Sequence, residues 1–229
     1  MPAEIAIVVT AYNEADRLGE TLRAIAEGFP GARVIVADDA STDATAQVAR
    51  QGGAEVVTAP KRLGKGGVAT LAAERARGGD TPLLVLVDGD LGDSAGHLPK
   101  LVDAVEAGDG DLAVAVFAKR VGGGFGVAVG FAHRAIRNLT GLDLRAPISG
   151  QRALAPAVVD AVLPFAPRFG MEIGMTVDAH RAGFRVVEVE LPLEHRATGK
   201  TAAGFLHRAR QLRDFVPVYA SRRMRGRKR

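Results

Sequence analysis

Five short runs rich in Val, Ile and Leu punctuate the first half of the chain: Ile5 to Thr10, Arg33 to Ala37, Glu55 to Thr58, Leu83 to Val87 and Leu112 to Phe117. Between them, Ala15 to Glu27, Thr42 to Gln51, Gly67 to Arg77 and Ala95 to Ala107 carry apolar residues at helical period. Near-continuous apolar strands alternating with helices predict a mostly parallel sheet, buried on both faces by helices. After Lys119 the pattern changes. A glycine cluster, Gly122 to Gly124 with Gly126, precedes a helix expected from about Val127 to Leu139, and an irregular stretch follows with Pro147, Ser149 and Gly150. A helix over Met171 to Ala182 and a strand over Arg185 to Leu191 come next. Phe205, Ala209, Leu212 and Val216 then recur at helical spacing, and Pro217 is expected to kink or end that last helix.

A chain of 229 residues with no internal repeat and no separate linker reads as a single α/β domain over residues 1–203, with a basic amphipathic segment over 204–229. Apolar residues at 47% and charged residues at 24% exclude disorder. The longest large-apolar runs, Ile5 to Val9 and Leu83 to Val87, fall far short of the roughly 20 residues that cross a bilayer. The N-terminus lacks the pattern of a secretory signal, and the absence of cysteine rules out disulfides and thiolate metal sites, so a cytoplasmic location is expected. Charge is unevenly placed. Residues 196–229 hold eleven Lys or Arg against one acid, Asp214, so this segment carries +10 while residues 1–195 carry −6. Such asymmetry points to a polyanionic surface, either nucleic acid or the anionic inner face of a membrane. With two Tyr, no Trp and no aromatic among the terminal arginines, a stacking platform for bases is missing and nucleic acid is not the expected partner.

Ligands of open parallel sheets bind where strands end, and four ends are conspicuous here: Thr10-Ala11-Tyr12-Asn13-Glu14, Asp38-Asp39-Ala40-Ser41-Thr42-Asp43, Gly64-Lys65-Gly66 and Asp88-Gly89-Asp90. Ser41, Thr42 and Asp43 serve equally well as helix N-caps. Asp88 and Asp90 do not fit that role: two carboxylates one residue apart repel unless a cation neutralises them, and hard divalent cations take such oxygen ligands. Gly64-Lys65-Gly66 is not a P-loop, because Ala59 and Gly66 stand where that motif needs glycine and a hydroxyl. The glycines 122, 124 and 126 fail the dinucleotide fingerprint, with Val127 or Val129 in its last place. The five histidines have no metal-ligand spacing, and no Gly-x-Ser-x-Gly elbow occurs.

Taken in order, Tyr12-Asn13-Glu14, Asp38-Asp39-x-Ser41-x-Asp43, Gly64-Lys65-Gly66 and Asp88-Gly89-Asp90 resemble the motifs of the family 2 glycosyltransferases, which have the GT-A fold. Arg120, Arg134, Ser149-Gly150-Gln151-Arg152, Glu172 and Arg196-x-x-Gly199-Lys200 extend the resemblance to the polyprenyl-phosphate sugar transferases related to dolichol-phosphate mannose synthase. Gln151, Ala146 and Gly92 depart from the pattern, standing where relatives carry an aromatic residue, an acid and a Gln. The resemblance implies an inverting transfer of a sugar from a nucleotide sugar. It also implies nucleotide-sugar contacts from Ala11, Tyr12, Glu14, Asp39, Lys65, Asp88, Gly89, Asp90, Arg196 and Lys200, with Mg2+ or Mn2+ on Asp88 and Asp90. Because it stands between glycines, the alternative for Lys65 is a solvated side chain.

A lipid phosphate acceptor is already an anion and needs cationic positioning rather than a base, which Arg120, Arg134, Arg152, Arg196 and Lys200 would supply. A hydroxyl acceptor needs a base, for which Glu172 is the candidate; otherwise Glu172 orients Arg152. A polyprenyl phosphate is thus the expected acceptor, with a soluble or glycan hydroxyl, or nucleotidyl transfer, as alternatives.

Overall fold

The computed structural model describes residues 4–78, 80–118, 127–193 and 213–224. Its seven strands are β1 (Ile5–Ala11), β2 (Arg33–Asp38), β3 (Glu55–Thr58), β4 (Leu83–Asp88), β5 (Leu112–Phe117), β6 (Arg152–Leu154) and β7 (Val186–Leu191). They form one sheet in the order β3-β2-β1-β4-β6-β5-β7, parallel except for β6, which runs antiparallel to both β4 and β5. The helices are α1 (Leu18–Gly28), α2 (Thr45–Gln51), α3 (Lys65–Arg77), α4 (Pro99–Glu106), α5 (Val127–Thr140), α6 (Pro156–Val162), α7 (Met171–Arg181) and a C-terminal helix over residues 213–224.

Because successive strand side chains point to opposite faces, each central strand feeds two cores. Ile7 and Val9 of β1 and Leu83, Val85 and Val87 of β4 pack with Leu18, Leu22 and Ile25 of α1 and Leu101 of α4. Ala6, Val8, Leu84 and Leu86 face the other way, onto Val68, Ala69 and Ala72 of α3, Val158 of α6 and Met171 of α7. A third cluster lies outside the sheet, where Ala132 and Ile136 of α5 meet Ile173 and Val177 of α7 and Phe215 and Val218 of the C-terminal helix.

Three departures from the sequence pattern have local causes. β6 and α6 fall in or just beyond the stretch expected to be irregular, because a three-residue strand that opens with Arg152 carries no period to read. The helix expected over Ala95 to Ala107 divides into a 3-10 turn, Gly92–His97, and α4, which opens on Pro99; proline suits a first helical position, where its missing N–H has no partner to lose. The C-terminal helix runs through Pro217 rather than ending there. One hydrogen bond is forfeited, but Phe215, Val218 and Arg222 are buried against the α5–α7 layer.

That helix is also rotated from the expected stripe. Val216 is 52% exposed, and the inward positions are Phe215, Val218 and Arg222; Phe205, Ala209 and Leu212 lie outside the described residues. The rotation follows from α7, whose glycines admit the helix: a Cβ on Gly174 would come 2.9 Å from the Arg222 guanidinium, and one on Gly170 would collide with Val218. Arg222, one of the basic residues of the 204–229 segment, is therefore buried and pairs with Asp178.

Glycines in helices of this fold are of two kinds, which gives a first prediction. A Cβ on Gly66 would overlap the backbone carbonyl of Ala166, whereas one on Gly130 meets nothing within 4 Å. Gly130→Ala is expected to stabilise by about 0.5–1 kcal/mol through lower chain entropy, and Gly66→Ala to destabilise by about 1–3 kcal/mol despite its better helix propensity. Urea unfolding of both variants checks the opposite signs; a stabilised Gly66→Ala would disprove the close α3 packing.

Candidate active site

Strand register assembles the site. Ala11 pairs with Asp38 and Thr10 with Asp88, so the polar residues following β1, β2 and β4 emerge at one level. The first two motifs are then laced together. Asn13 N–H donates to Ser41 Oγ (3.0 Å), Thr42 N–H to Asn13 Oδ1 (2.9 Å) and Glu14 N–H to Thr45 Oγ1 (2.9 Å). Asn13 and Ala40 both adopt positive φ to make these turns, a conformation uncommon outside glycine. Of the three N-cap candidates, Asp43 meets the start of α2, accepting from Thr45 N–H (2.9 Å); Ser41 and Thr42 serve the link to Asn13.

At the centre stands Lys65, the first residue of α3. Its ammonium lies 2.6 Å from Asp88 Oδ1 and 2.9 Å from Glu172 Oε1. The structure corrects the reading of Lys65 as a solvated side chain: only 16% of it is exposed. Burial alone would lower its pKa, but the two carboxylates outweigh that and raise it above the ordinary lysine value. Burial works to raise the Asp88 pKa, yet the Lys65 charge, with hydrogen bonds from Gln151 Nε2 (2.8 Å) and Thr10 Oγ1 (3.2 Å), holds it below the usual carboxylate range. The cation expected to relieve repulsion between Asp88 and Asp90 is thus supplied in part by the protein. Glycine is required beside it, since a Cβ on Gly150 would collide with the Lys65 ammonium.

Glu172 and Arg152 do not divide their work as expected. Arg152 is fully buried and donates to four acceptors: Ser149 O (2.8 Å), Glu172 O (3.1 Å), Thr176 Oγ1 (2.9 Å) and Pro147 O (3.2 Å). Burial pushes its pKa down to about 10, against the raising effect of the Glu172 and Glu188 carboxylates, which leaves it charged at neutral pH. A guanidinium so committed is not available to a substrate phosphate; it fixes the turn before β6 and the start of α7. Glu172 orients Arg152 only through its backbone carbonyl, while its carboxylate serves Lys65.

The nucleotide motifs hold a second centre. Asp39, 4% exposed, accepts from Leu63 N–H (2.7 Å), from Gly64 N–H (3.0 and 3.1 Å) and from Arg62 Nε (3.2 Å). The Arg62 guanidinium lies 3.3 Å from the centroid of the Tyr12 ring. Ala11 and Gly89 are buried backbone positions, Gly89 N–H donating to Thr10 O (3.0 Å), and Glu14 and Asp90 are half-buried. Arg134 sits elsewhere, exposed on α5 beside a concavity of about 450 Å3 lined by His133, Arg137, Asn138 and Asp143. Arg120, Arg196 and Lys200 lie outside the described residues. Thr10, Gln151 and Arg62 were not foreseen as site residues. Gln151 could have been, since an amide in place of an aromatic residue needs a polar partner.

The donor set suits a hard divalent cation that shares its ligands with a substrate. Asp88 already accepts from three side chains, and Asp90, two residues on at the same strand end, is a second carboxylate of the kind a hard cation takes. Among the described residues no group of three or more His, Asp or Glu is arranged to enclose a metal. An ion there would complete its shell with phosphate oxygens and water, which is the habit of Mg2+.

An open α/β sheet with acids at the ends of β1, β2 and β4 and a lysine at the start of α3 defines a GT-A nucleotide-sugar-dependent transferase. The chain belongs to glycosyl transferase family 2, whose family model matches residues 6–146, and it is a glycosyltransferase. It is 32% identical over 210 residues to an uncharacterised glycosyltransferase of Mycobacterium tuberculosis, covering 86% of this chain and 88% of that one. It is 30% identical over 213 residues to the undecaprenyl-phosphate mannosyltransferase of Micrococcus luteus, covering 85% of each. Among solved structures it resembles glucosyl-3-phosphoglycerate synthase from Mycobacterium tuberculosis in complex with Mn2+, UDP and glucosyl-3-phosphoglycerate. The TM-score is 0.76 at 26% identity, over 96% of this chain and 80% of that one. The same synthase is also solved with Mg2+ and UDP.

Replacing Lys65 by Met strands two carboxylates. The variant is expected to lose about 3 kcal/mol, the low end for breaking a buried pair because Asp88 is a third exposed. The depressed Asp88 pKa stabilises the parent above about pH 3.9, and that contribution is lost as pH falls through the lowered value. The raised Lys65 pKa stabilises below about pH 10.4, with loss as pH rises through the raised value. The gap between parent and variant, read from urea unfolding, should be widest between these limits and narrow in acid. A gap that does not change with pH would refute the ion-pair origin.

Proposed function

We propose that this transferase moves a sugar from a nucleotide sugar to a polyprenyl phosphate at the inner face of a membrane, with inversion at the anomeric carbon. The observation that carries the lipid acceptor is a surface. The four large apolar side chains exposed among the described residues are Val127, Val129, Val216 and Met224, all on α5 or the C-terminal helix. Those two helices pack on each other through Phe131, Phe215 and Tyr219, and Arg134, Arg137, Arg213 and Arg223 are exposed on them. Apolar side chains interspersed with arginines suit the headgroup region of an anionic bilayer. No helix among the described residues is long and apolar enough to cross it.

Glu172 supports the same reading. Its carboxylate is tied to Lys65 and is poorly placed to take a proton from a hydroxyl acceptor, whereas a lipid phosphate attacks as an anion and needs no base. In this reading Asp39, Glu14 and Tyr12 receive the base and ribose, and Lys65 and Asp88 form the floor beneath the diphosphate. Asp90 holds Mg2+ or Mn2+, which when bound supplies positive charge to the departing nucleoside diphosphate. Arg134 and Arg137, exposed on α5 apart from these groups, would meet the lipid headgroups rather than the reacting centre. The likeness to the phosphoglycerate-glucosylating synthase favours a second reading, in which a small soluble phosphorylated molecule accepts the sugar.

Two outcomes test the proposal. Asp90→Ala should fold normally and lose at least about a hundredfold in turnover, measured as nucleoside diphosphate released; near-parental metal-dependent activity removes Asp90 from the site. Deleting residues 225–229 removes four basic side chains and leaves the Arg222–Asp178 anchor intact. Affinity for liposomes containing phosphatidylglycerol should fall on the order of tenfold or more and be salt-sensitive in the parent, with transfer to a short-chain prenyl phosphate retained. Parental transfer to phosphoglycerate, together with no liposome binding, would establish the soluble acceptor instead.

A further inference from the structure

We infer that Arg62 is a built-in occupant of the nucleotide-base slot, which an incoming base must displace. This rests on the proposal above that Tyr12 and Asp39 receive the base. In the free protein both are taken by one side chain: the Arg62 guanidinium lies 3.3 Å from the Tyr12 ring centroid, and its Nε donates to Asp39 Oδ2 at 3.2 Å. A planar, delocalised cation stacked on an aromatic face, with one N–H aimed at a carboxylate, presents to Tyr12 and Asp39 what a planar base with an edge N–H would present.

The geometry makes the occupant removable. Arg62 is 57% exposed along its side chain while Asp39 is 5% exposed, so the arginine lies on the solvent side of the acid it covers. Asp39 does not depend on it. Oδ1 accepts from the N–H groups of Leu63 and Gly64, and Oδ2 retains Gly64 N–H when Arg62 leaves. The loop backbone that fixes Asp39 is held by Gly64, whose φ of +78° turns the chain and where an added Cβ would collide with Arg168. Asp39 therefore stays in place as a preformed acceptor while Arg62 swings away. The interactions holding Arg62 are of the exposed stacking and ion-pair kind, each individually weak. Together they reduce the fraction of molecules with an open slot, and apparent affinity falls by that fraction.

The sign of one substitution decides the matter. An arginine that contacts bound nucleotide makes binding weaker when removed, whereas an occupant makes it tighter. Arg62→Ala should bind UDP or GDP, whichever the parent prefers, on the order of three- to tenfold more tightly by calorimetric titration with Mg2+ present. Its thermal midpoint should match that of the parent. The chain has no Trp and two tyrosines, Tyr12 and Tyr219. In a Tyr219→Phe background, emission therefore reports Tyr12 alone and should change on Arg62→Ala before any nucleotide is added. Weaker or unchanged nucleotide binding by Arg62→Ala, or unchanged Tyr12 emission, overturns the inference while leaving the nucleotide site standing. No binding of UDP or GDP by parent or variant overturns both.

Discussion

One ammonium group, that of Lys65, joins parts of the chain that share no sequence neighbourhood. It opens α3, reaches Asp88 at the end of β4 and Glu172 in the first turn of α7, and runs under Gly150 just before β6. Bringing three charged groups out of water costs more than any one pair returns unless every lone pair and proton finds a partner. Here the remaining Asp88 bonds come from Gln151 and Thr10, and Arg152 sits on the backbone of Glu172. The glycines around the lysine follow from the same demand for close approach. Gly66 lets α3 lie against the Ala166 carbonyl, and Gly150 leaves room for the ammonium itself.

This arrangement divides the acids by environment. Asp88 is held below the ordinary carboxylate range by an internal cation, so it is charged throughout the neutral range and already neutralised. Asp90 stands half-buried just beyond the strand end, and in the proposed function it is the acid that would meet a ligand-borne cation. Two carboxylates separated by one glycine can therefore coexist without the full repulsion that their spacing implies. In the proposed function, a diphosphate entering above Lys65 would bring more negative charge than one shared ammonium offsets, which would give a divalent ion its role there.

The strand ends were legible in the sequence because they rest on local facts. An apolar run that stops at Asp38 or Asp88 marks both a strand and its exit, and the parallel register then brings the exits level. What could not be read depends on contacts between distant segments. Nothing near Gly64-Lys65-Gly66 indicates that Glu172, more than a hundred residues later, waits on the same face of the sheet. Nothing near Arg152 distinguishes a phosphate ligand from a guanidinium that satisfies four acceptors in a buried turn. Arg62 escaped notice because it lies just outside a motif. Its partners, Tyr12 and Asp39, meet it only when the loop after β3 folds over β2.

The arginines of this chain show how position rather than type sets their use. Arg152 is buried and spends its donors on backbone, and Arg222 is buried and closes on Asp178, so both fix structure. Arg134, Arg137, Arg213 and Arg223 stand exposed on the two helices that also expose large apolar side chains. The joint between these groups is α7. Glu172 at its start pairs with Lys65 in the site, and Gly174 and Asp178 further along receive the C-terminal helix. A helix so shared carries the charge centre on one end and the basic, partly apolar layer along its side. The outer layer is thus seated on the same helix as the Lys65 charge centre, and a membrane bound by that layer, as proposed, would be held at a fixed distance from Lys65.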